Sequence, residues 1–197
     1  MSISILKEVL LIRKKKAKVS FGENFVTKKG WKVTLVDTGK DTMTGGRIRR
    51  IKPYINKGEN FFMTYGDGLS SINLKKLLNT HIQQKTIATI SAVAQPNRFG
   101  VLKIRGKKAM SFEEKPLDYD KRVNGGFFVL SSNVFKFINS DRTIWEKNPL
   151  KRIAKIGELS VFKHNGFWQS MDTLRDKRYL EKLGRSKTKK SWKIWNE

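Results

Sequence analysis

The sequence predicts an α/β protein, with a mixed and at least partly parallel sheet covered by helices on both faces. Two observations carry this. From Trp31 onward, strand-like apolar runs alternate with helix-periodic runs, the pattern of an α/β sheet. The chain also has 197 residues, 38 % of them hydrophobic and 11 % aromatic, enough to bury a core without disulfides or metal staples.

The elements follow in order. Ile3 to Ile12 reads as an internal strand or helix, with a weak amphipathic segment lying on an anionic membrane as the alternative. The basic cluster Arg13 to Lys16 then forms a solvated turn, the reverse of a secretory signal, in which charge precedes the apolar run. Trp31 to Val36 alternates with period two and stops at the turn Asp37-Thr38-Gly39. Gly45-Gly46 opens a basic helix over Arg47 to Ile55. Phe61 to Tyr65 is a short apolar strand that ends in Gly66-Asp67-Gly68. Ser71 or Asn73 caps a helix with Leu74, Leu77, Leu78 and Ile82 on its apolar face. Thr86 to Ala94, Val101 to Arg105, Ala109 to Phe112 and Gly126 to Leu130 read as strands, rich in β-branched and aromatic residues. Asn133 to Ile138 and Asn148 to Ile156 read as helices, and Glu158 to Trp168 as extended chain. Asp172 or Thr173 caps a last helix with Leu174, Tyr179, Leu180 and Leu183 inward, before a lysine-rich tail. No internal repeat is visible, and no linker is long enough to split the chain.

Composition narrows the chemistry. With no cysteine, disulfide frameworks, thiolate zinc and cysteine nucleophiles are excluded. His81 and His164 are too few for most histidine-built metal sites. The net charge of +25 attracts polyanions of any kind. It is spread out: residues 1 to 32 carry +7, residues 173 to 197 carry +6 and the middle keeps +12. Lysines outnumber arginines 30 to 12, whereas base-reading surfaces lean on arginine. No specific nucleic-acid site and no membrane span are expected, and the chain reads as cytoplasmic.

Ligands of an open α/β sheet bind beyond the carboxyl ends of its strands. Asp67, ejected there between Gly66 and Gly68, is either a turn acid or a ligand of Mg²⁺, which takes few protein carboxylates plus phosphate oxygens. Asp172 stands where an extended run meets a helix start, as an N-cap or as a second metal carboxylate. The stretch Thr42 to Arg47 is either a plain loop-to-helix junction or an anion site in which backbone N–H groups and an arginine grip phosphate. Glu114-Lys115-Pro116 is a surface ion pair or a sugar-phosphate contact. Asn124-Gly125-Gly126 is a turn feeding a buried strand, or a loop that lets a sugar approach closely.

Taken in chain order, Val36-Asp37-Thr38-Gly39, Thr42 to Arg47, Tyr65 to Gly68, Asn97-Arg98-Phe99-Gly100, Glu114-Lys115-Pro116, Asn124 to Phe128 and Met171 to Asp176 resemble glucose-1-phosphate cytidylyltransferase. The resemblance runs from about Trp31 to about Trp195. It implies a Rossmann-like nucleotidyltransferase fold that joins CTP and α-D-glucose 1-phosphate into CDP-glucose and pyrophosphate with Mg²⁺, on the way to dideoxy sugars of O-antigen and lipopolysaccharide. It implies Asp67 and Asp172 as metal ligands, and Thr42, Arg47 and Gly66 at the nucleotide. Glu114 and Lys115 would hold the sugar and its phosphate, with Gly100 and Asn124 beside the hexose. It also implies Arg47 and Lys115 as the catalytic cations, and a homo-oligomer, which is the family's habit.

Two departures stand out. The family's glycine-rich G-G-x-G-T-R-L loop and following K-P-K segment have no counterpart in residues 1 to 30, a divergent basic segment. The expectation is a partial nucleotidyltransferase domain over residues 31 to 197, with a C-terminal helix and basic tail. It would lack the first β-α nucleotide-binding unit and have little activity alone. A split enzyme and a basic polyanion-binding protein are the alternatives. Ser170 stands where the family usually has proline.

Overall fold

The computed structural model describes residues 8–14, 19–20, 23–26, 31–96, 101–114, 117–185 and 191–192. The strands are β1 (Glu8–Lys14), β2 (Val19–Ser20), β3 (Glu23–Val26), β4 (Trp31–Asp37), β5 (Asn60–Thr64), β6 (Gly68–Ser70), β7 (Ala88–Pro96), β8 (Val101–Arg105), β9 (Lys108–Glu113), β10 (Leu117–Ser131), β11 (Leu159–His164) and β12 (Trp168–Ser170). The helices are α1 (Thr44–Arg50), α2 (Leu74–Gln84), α3 (Asn148–Lys155) and α4 (Leu174–Arg185). Short 3₁₀ turns cover Lys52–Tyr54 and Ser132–Phe137.

One sheet has the order β1-β4-β3-β2 and is antiparallel throughout. A second has the order β11-β7-β10-β5. There Ala88 N donates to Glu158 O, and the Thr89 and Ser160 hydroxyls lie 2.6 Å apart, so β7 and β11 advance in step. Ser131 N donates to Ile87 O and Phe127 N to Ser91 Oγ, so β10 runs against β7. The sheet is mixed, as the sequence predicts. Two antiparallel two-stranded pairs, β6 with β12 and the hairpin β8 with β9, complete the strands.

The chain forms two compact units, Met1–Phe62 with Lys85–Ala88 and Val129–Leu159, and Met63–Gln84 with Thr89–Phe128 and Ser160–Glu197. The segments interleave, so no single linker separates the units, and none is visible in the sequence.

In the first unit Trp145, Val129, Leu130, Val134 and Ile153 are fully buried. Phe61 stacks on Phe135 with centroids 5.9 Å apart. The helix predicted over Arg47 to Ile55 is shorter, because Pro53 cannot continue an α-helix and a 3₁₀ turn begins at Lys52. Asn133 to Ile138 is likewise a 3₁₀ turn, not an α-helix.

In the second unit Leu77, Val93 and Phe128 make the core. Asn73 caps α2, its Oδ1 accepting from Lys76 N at 3.0 Å. Only Leu77 and His81, one turn apart, are buried on that helix. Leu74 and Ile82, predicted inward, are about half exposed. The apolar stripe thus faces the sheet along its centre, and its edges stay in water. His81 Nδ1 lies 2.8 Å from Thr89 Oγ1, which continues to Ser160.

Burial holds the His81 imidazole below its ordinary pKa, because the charged form is poorly solvated there. The unfolded chain titrates near about 6.5. It therefore takes up a proton before the native state does, and stability is lost as pH falls through that value. A urea midpoint that drops between about pH 7.5 and about pH 5.5, with the drop reduced in His81→Gln, is the expected result.

Candidate functional site

Within the second unit β6 and β12 pair antiparallel, Gly68 opposite Ser170 and Ser70 opposite Trp168. That pairing decides the site. Asp67 immediately precedes β6 and Asp172 follows β12 by two residues, so acids 105 positions apart in sequence arrive at one end of the same ladder. Met171 N donates to Asp67 O at 2.8 Å and fixes the two turns to each other. Both acids line a cavity of about 270 Å³, with Thr64, Tyr65, Asn124, Gly125, Gly126 and Trp168 in its wall.

Asp172 is not the helix cap. Thr173 takes that place: its Oγ1 accepts from Asp176 N at 3.2 Å, and Asp176 Oδ2 accepts from Thr173 N at 2.9 Å. This reciprocal arrangement is a capping box with aspartate in the glutamate position. The Asp172 carboxylate is left to the cavity, with Oδ2 accepting from Ser170 Oγ at 2.7 Å.

The opposite wall corrects the sequence reading. Asn124-Gly125-Gly126 is not a turn before a strand but lies inside the 15-residue strand β10. Gly126 has φ of +76°, and a Cβ there would stand 2.7 Å from the Tyr65 ring. Its N–H donates to Asn124 Oδ1 at 2.8 Å, while Tyr65 N donates to Gly126 O. Gly125 O accepts from Trp168 Nε1 at 2.8 Å. A Cβ at Gly125 would come within 2.7 Å of Ser91 Oγ and 2.8 Å of Val93 Cγ1. The two glycines are thus required by neighbours on both sides of the strand. Gly125→Ala is expected to cost about 1–3 kcal/mol through overpacking, read as a lower denaturation midpoint.

The other candidate residues fall elsewhere. Gly66 sits in the turn before Asp67. Glu114 is exposed just beyond β9. Gly100 and Lys115 lie outside the described residues. Thr42 and Arg47 belong to the first unit, and both are buried. Arg47 donates to Thr38 Oγ1 at 2.6 Å and to Lys40 O. At the start of α1, Met43 N donates to Asp141 O and Gly46 N to Thr143 O, so backbone carbonyls already occupy these donors.

Tyr65, Trp168 and Val123 line the cavity without having been singled out for it. The available signal was position: Tyr65 directly follows β5 and precedes Gly66, and Trp168 opens β12 before Asp172.

The lining donors suit a hard divalent cation. Two carboxylates and several hydroxyl or amide oxygens face the cavity, with no histidine among them. No lysine or arginine is in that lining among the described residues. A phosphorylated ligand there would meet two negative charges unless a cation intervened.

Comparison with known proteins identifies the family and the fold. The nucleotidyl transferase family model matches residues 1–169. The glucose-1-phosphate cytidylyltransferases of Salmonella typhimurium and Salmonella typhi are each 48 % identical over 165 residues. These alignments take in 84 % of this chain but only 64 % of either relative. Among solved structures, HddC from Yersinia pseudotuberculosis superposes with a TM-score of 0.55 at 20 % identity, covering 74 % of this chain and 64 % of that one. That likeness supports the fold. On the extent of the family match, the chain belongs to the nucleotidyl transferase family.

Proposed function

We propose that this chain carries the sugar-phosphate and metal portion of a glucose-1-phosphate cytidylyltransferase site. The whole protein would convert CTP and α-D-glucose 1-phosphate into CDP-glucose and pyrophosphate. The observation that carries this reading is the delivery of Asp67 and Asp172 to one cavity whose opposite wall is the close-packed Asn124-Gly125-Gly126 backbone. The 48 % identity to the Salmonella enzymes supports the choice of substrates.

In this reading Asp67 and Asp172 hold Mg²⁺, which when bound offsets the charge of the phosphate oxygens. Asn124 is positioned by its own bonds: Oδ1 accepts from Gly126 N, and Nδ2 donates to Tyr65 Oη at 3.4 Å. It stands beside the hexose, with Gly100 also assigned there. The glycines remove side chains where a sugar ring must approach the strand. Glu114 and Lys115 hold the sugar hydroxyls and phosphate. Gly66, in the turn before Asp67, is assigned to the nucleotide. A phosphate oxygen of the sugar phosphate attacks the α-phosphorus of CTP in line, and pyrophosphate leaves with the electrons of the broken P–O bond. The chain's contribution is orientation and charge stabilisation.

Calorimetric titration of CDP-glucose into the purified chain, with and without Mg²⁺, tests this. Saturable binding that needs Mg²⁺ is the expected outcome. A folded sample that takes up neither CDP-glucose nor glucose 1-phosphate would overturn the reading.

A further inference from the structure

Asp172 does not stand alone in the cavity. Ser170 Oγ donates to its Oδ2 at 2.7 Å, the short distance of a hydrogen bond to a charged oxygen. Ser170 also lines the cavity that receives both acids. The strand sets its position: it ends β12 and stands opposite Gly68 of β6, the residue next to Asp67. The hydroxyl therefore projects from a backbone already tied to the other acid.

The rest of the turn is held as well. Ser170 O accepts from Gln169 Nε2 at 2.8 Å, and the same amide lies 3.3 Å from Asp176 Oδ1. Asp176 Oδ2 closes the cap of α4 on Thr173, and Met171 N donates to Asp67 O. The residues on both sides of Asp172 are thus fixed through their backbone or the cap. The Asp172 side chain is exposed and has two torsions of its own to settle. A carboxylate beside a helix start has a ready alternative partner in the N–H groups of the first turn. The Ser170 bond holds it at the cavity instead: with Oδ2 engaged by the hydroxyl, Oδ1 is the oxygen left to a cation.

We infer that Ser170 is a positioning residue of this chain's metal site, its hydroxyl setting the Asp172 carboxylate for Mg²⁺. The inference rests on the reading of Asp172 as a Mg²⁺ ligand given above, and adds to it a residue that acts only through the ligand. Mg²⁺ demands near-ideal octahedral geometry and dehydrates reluctantly. A carboxylate already in place therefore matters more than the little charge the hydroxyl draws from it. Proline, which the resemblance puts at this position, fixes its own φ and so stiffens the turn, but it has no hydroxyl to donate. Serine does not fix that torsion and holds the acid through its side chain. The bond tightens the site without creating it, since the ion is met by Asp67 and Asp172.

The test is titration calorimetry of CDP-glucose into the full chain at stepped Mg²⁺ concentrations, for the parent, Ser170→Ala, Ser170→Thr and Asp172→Asn. The half-saturating Mg²⁺ concentration is the readout. Ser170→Ala should raise it about tenfold, the lower end of what losing such a supporting hydrogen bond costs a metal site. CDP-glucose affinity at saturating Mg²⁺ should be unchanged, because the bound ion then holds the carboxylate itself. Ser170→Thr keeps the hydroxyl and should return the Mg²⁺ dependence of the parent, a rescue that a merely structural role would not give. An unchanged Mg²⁺ dependence in Ser170→Ala, where Asp172→Asn does weaken it, would overturn this inference and leave the metal reading intact. Tighter Mg²⁺ binding in Ser170→Ala would show the hydroxyl competing with the ion and overturn it too. An Asp172→Asn variant with the parent's Mg²⁺ dependence, or a parent that binds CDP-glucose without Mg²⁺ or not at all, would overturn the metal reading and this inference with it.

Discussion

Asp67→Asn is expected to weaken Mg²⁺-dependent binding of CDP-glucose by at least about tenfold, or about 1.4 kcal/mol, while the chain keeps its fold. The substitution keeps the side chain's size and removes one unit of negative charge. Mg²⁺ relies on few protein carboxylates and dehydrates reluctantly, so losing one of two is severe. The residue is half-buried in a turn, and the fold-bearing bond there uses its backbone: Asp67 O accepts from Met171 N. Asparagine retains that acceptor, so the thermal midpoint should hardly move. Titration calorimetry with and without Mg²⁺ reads the effect. Unchanged affinity in a folded variant would remove Asp67 from the metal site. The same substitution at Asp172 should act in the same direction, since Thr173 and not Asp172 caps α4.

Trp145→Ala should be among the most damaging single changes to stability, at about 3–5 kcal/mol. Trp145 is the largest fully buried side chain of the chain's described part. Its backbone ties local elements together: its N–H donates to Thr44 Oγ1 at 2.9 Å, and Leu150 N donates to its carbonyl. Thr44 in turn donates to Glu146 Oε2 at 2.8 Å, so the start of α1 is fastened to the segment that leads into α3. Removing the indole leaves a cavity inside this fastened region, where neighbours cannot easily close in. Domains of this size have about 5–15 kcal/mol in total, so the loss is a large share of the whole. Urea denaturation followed by circular dichroism measures it, and Trp145→Phe, which refills most of the space, should lose much less. A midpoint for Trp145→Ala within error of the parent would sink the argument.

The elements were largely legible because their signals are local. Phe61 to Tyr65 and Thr86 to Ala94 are apolar, and the latter β-branched; β5 and β7 follow them within two residues at either end. Asn73 and Thr173 fit cap positions by their side-chain chemistry, and both cap helices. The acids Asp67 and Asp172 were also visible, each at the end of an extended run.

Tertiary structure decided three things that local pattern leaves open. It set which side of each helix is buried: Leu74, Leu174 and Tyr179 are exposed, because burial reaches only part of each apolar stripe, at Leu77 and at Leu180. It placed Asn124-Gly125-Gly126 inside a strand. Two adjacent glycines read as a turn along the sequence, yet here they accommodate Ser91 and Val93 on one side and Tyr65 on the other, contacts made by distant segments. And it joined Asp67 to Asp172. The residue types were fixed by sequence, but their meeting depends on β6 pairing with β12 across nearly a hundred residues. Hydrogen-bond pairing of that kind follows from the packed sheet as a whole, which no short window of sequence contains.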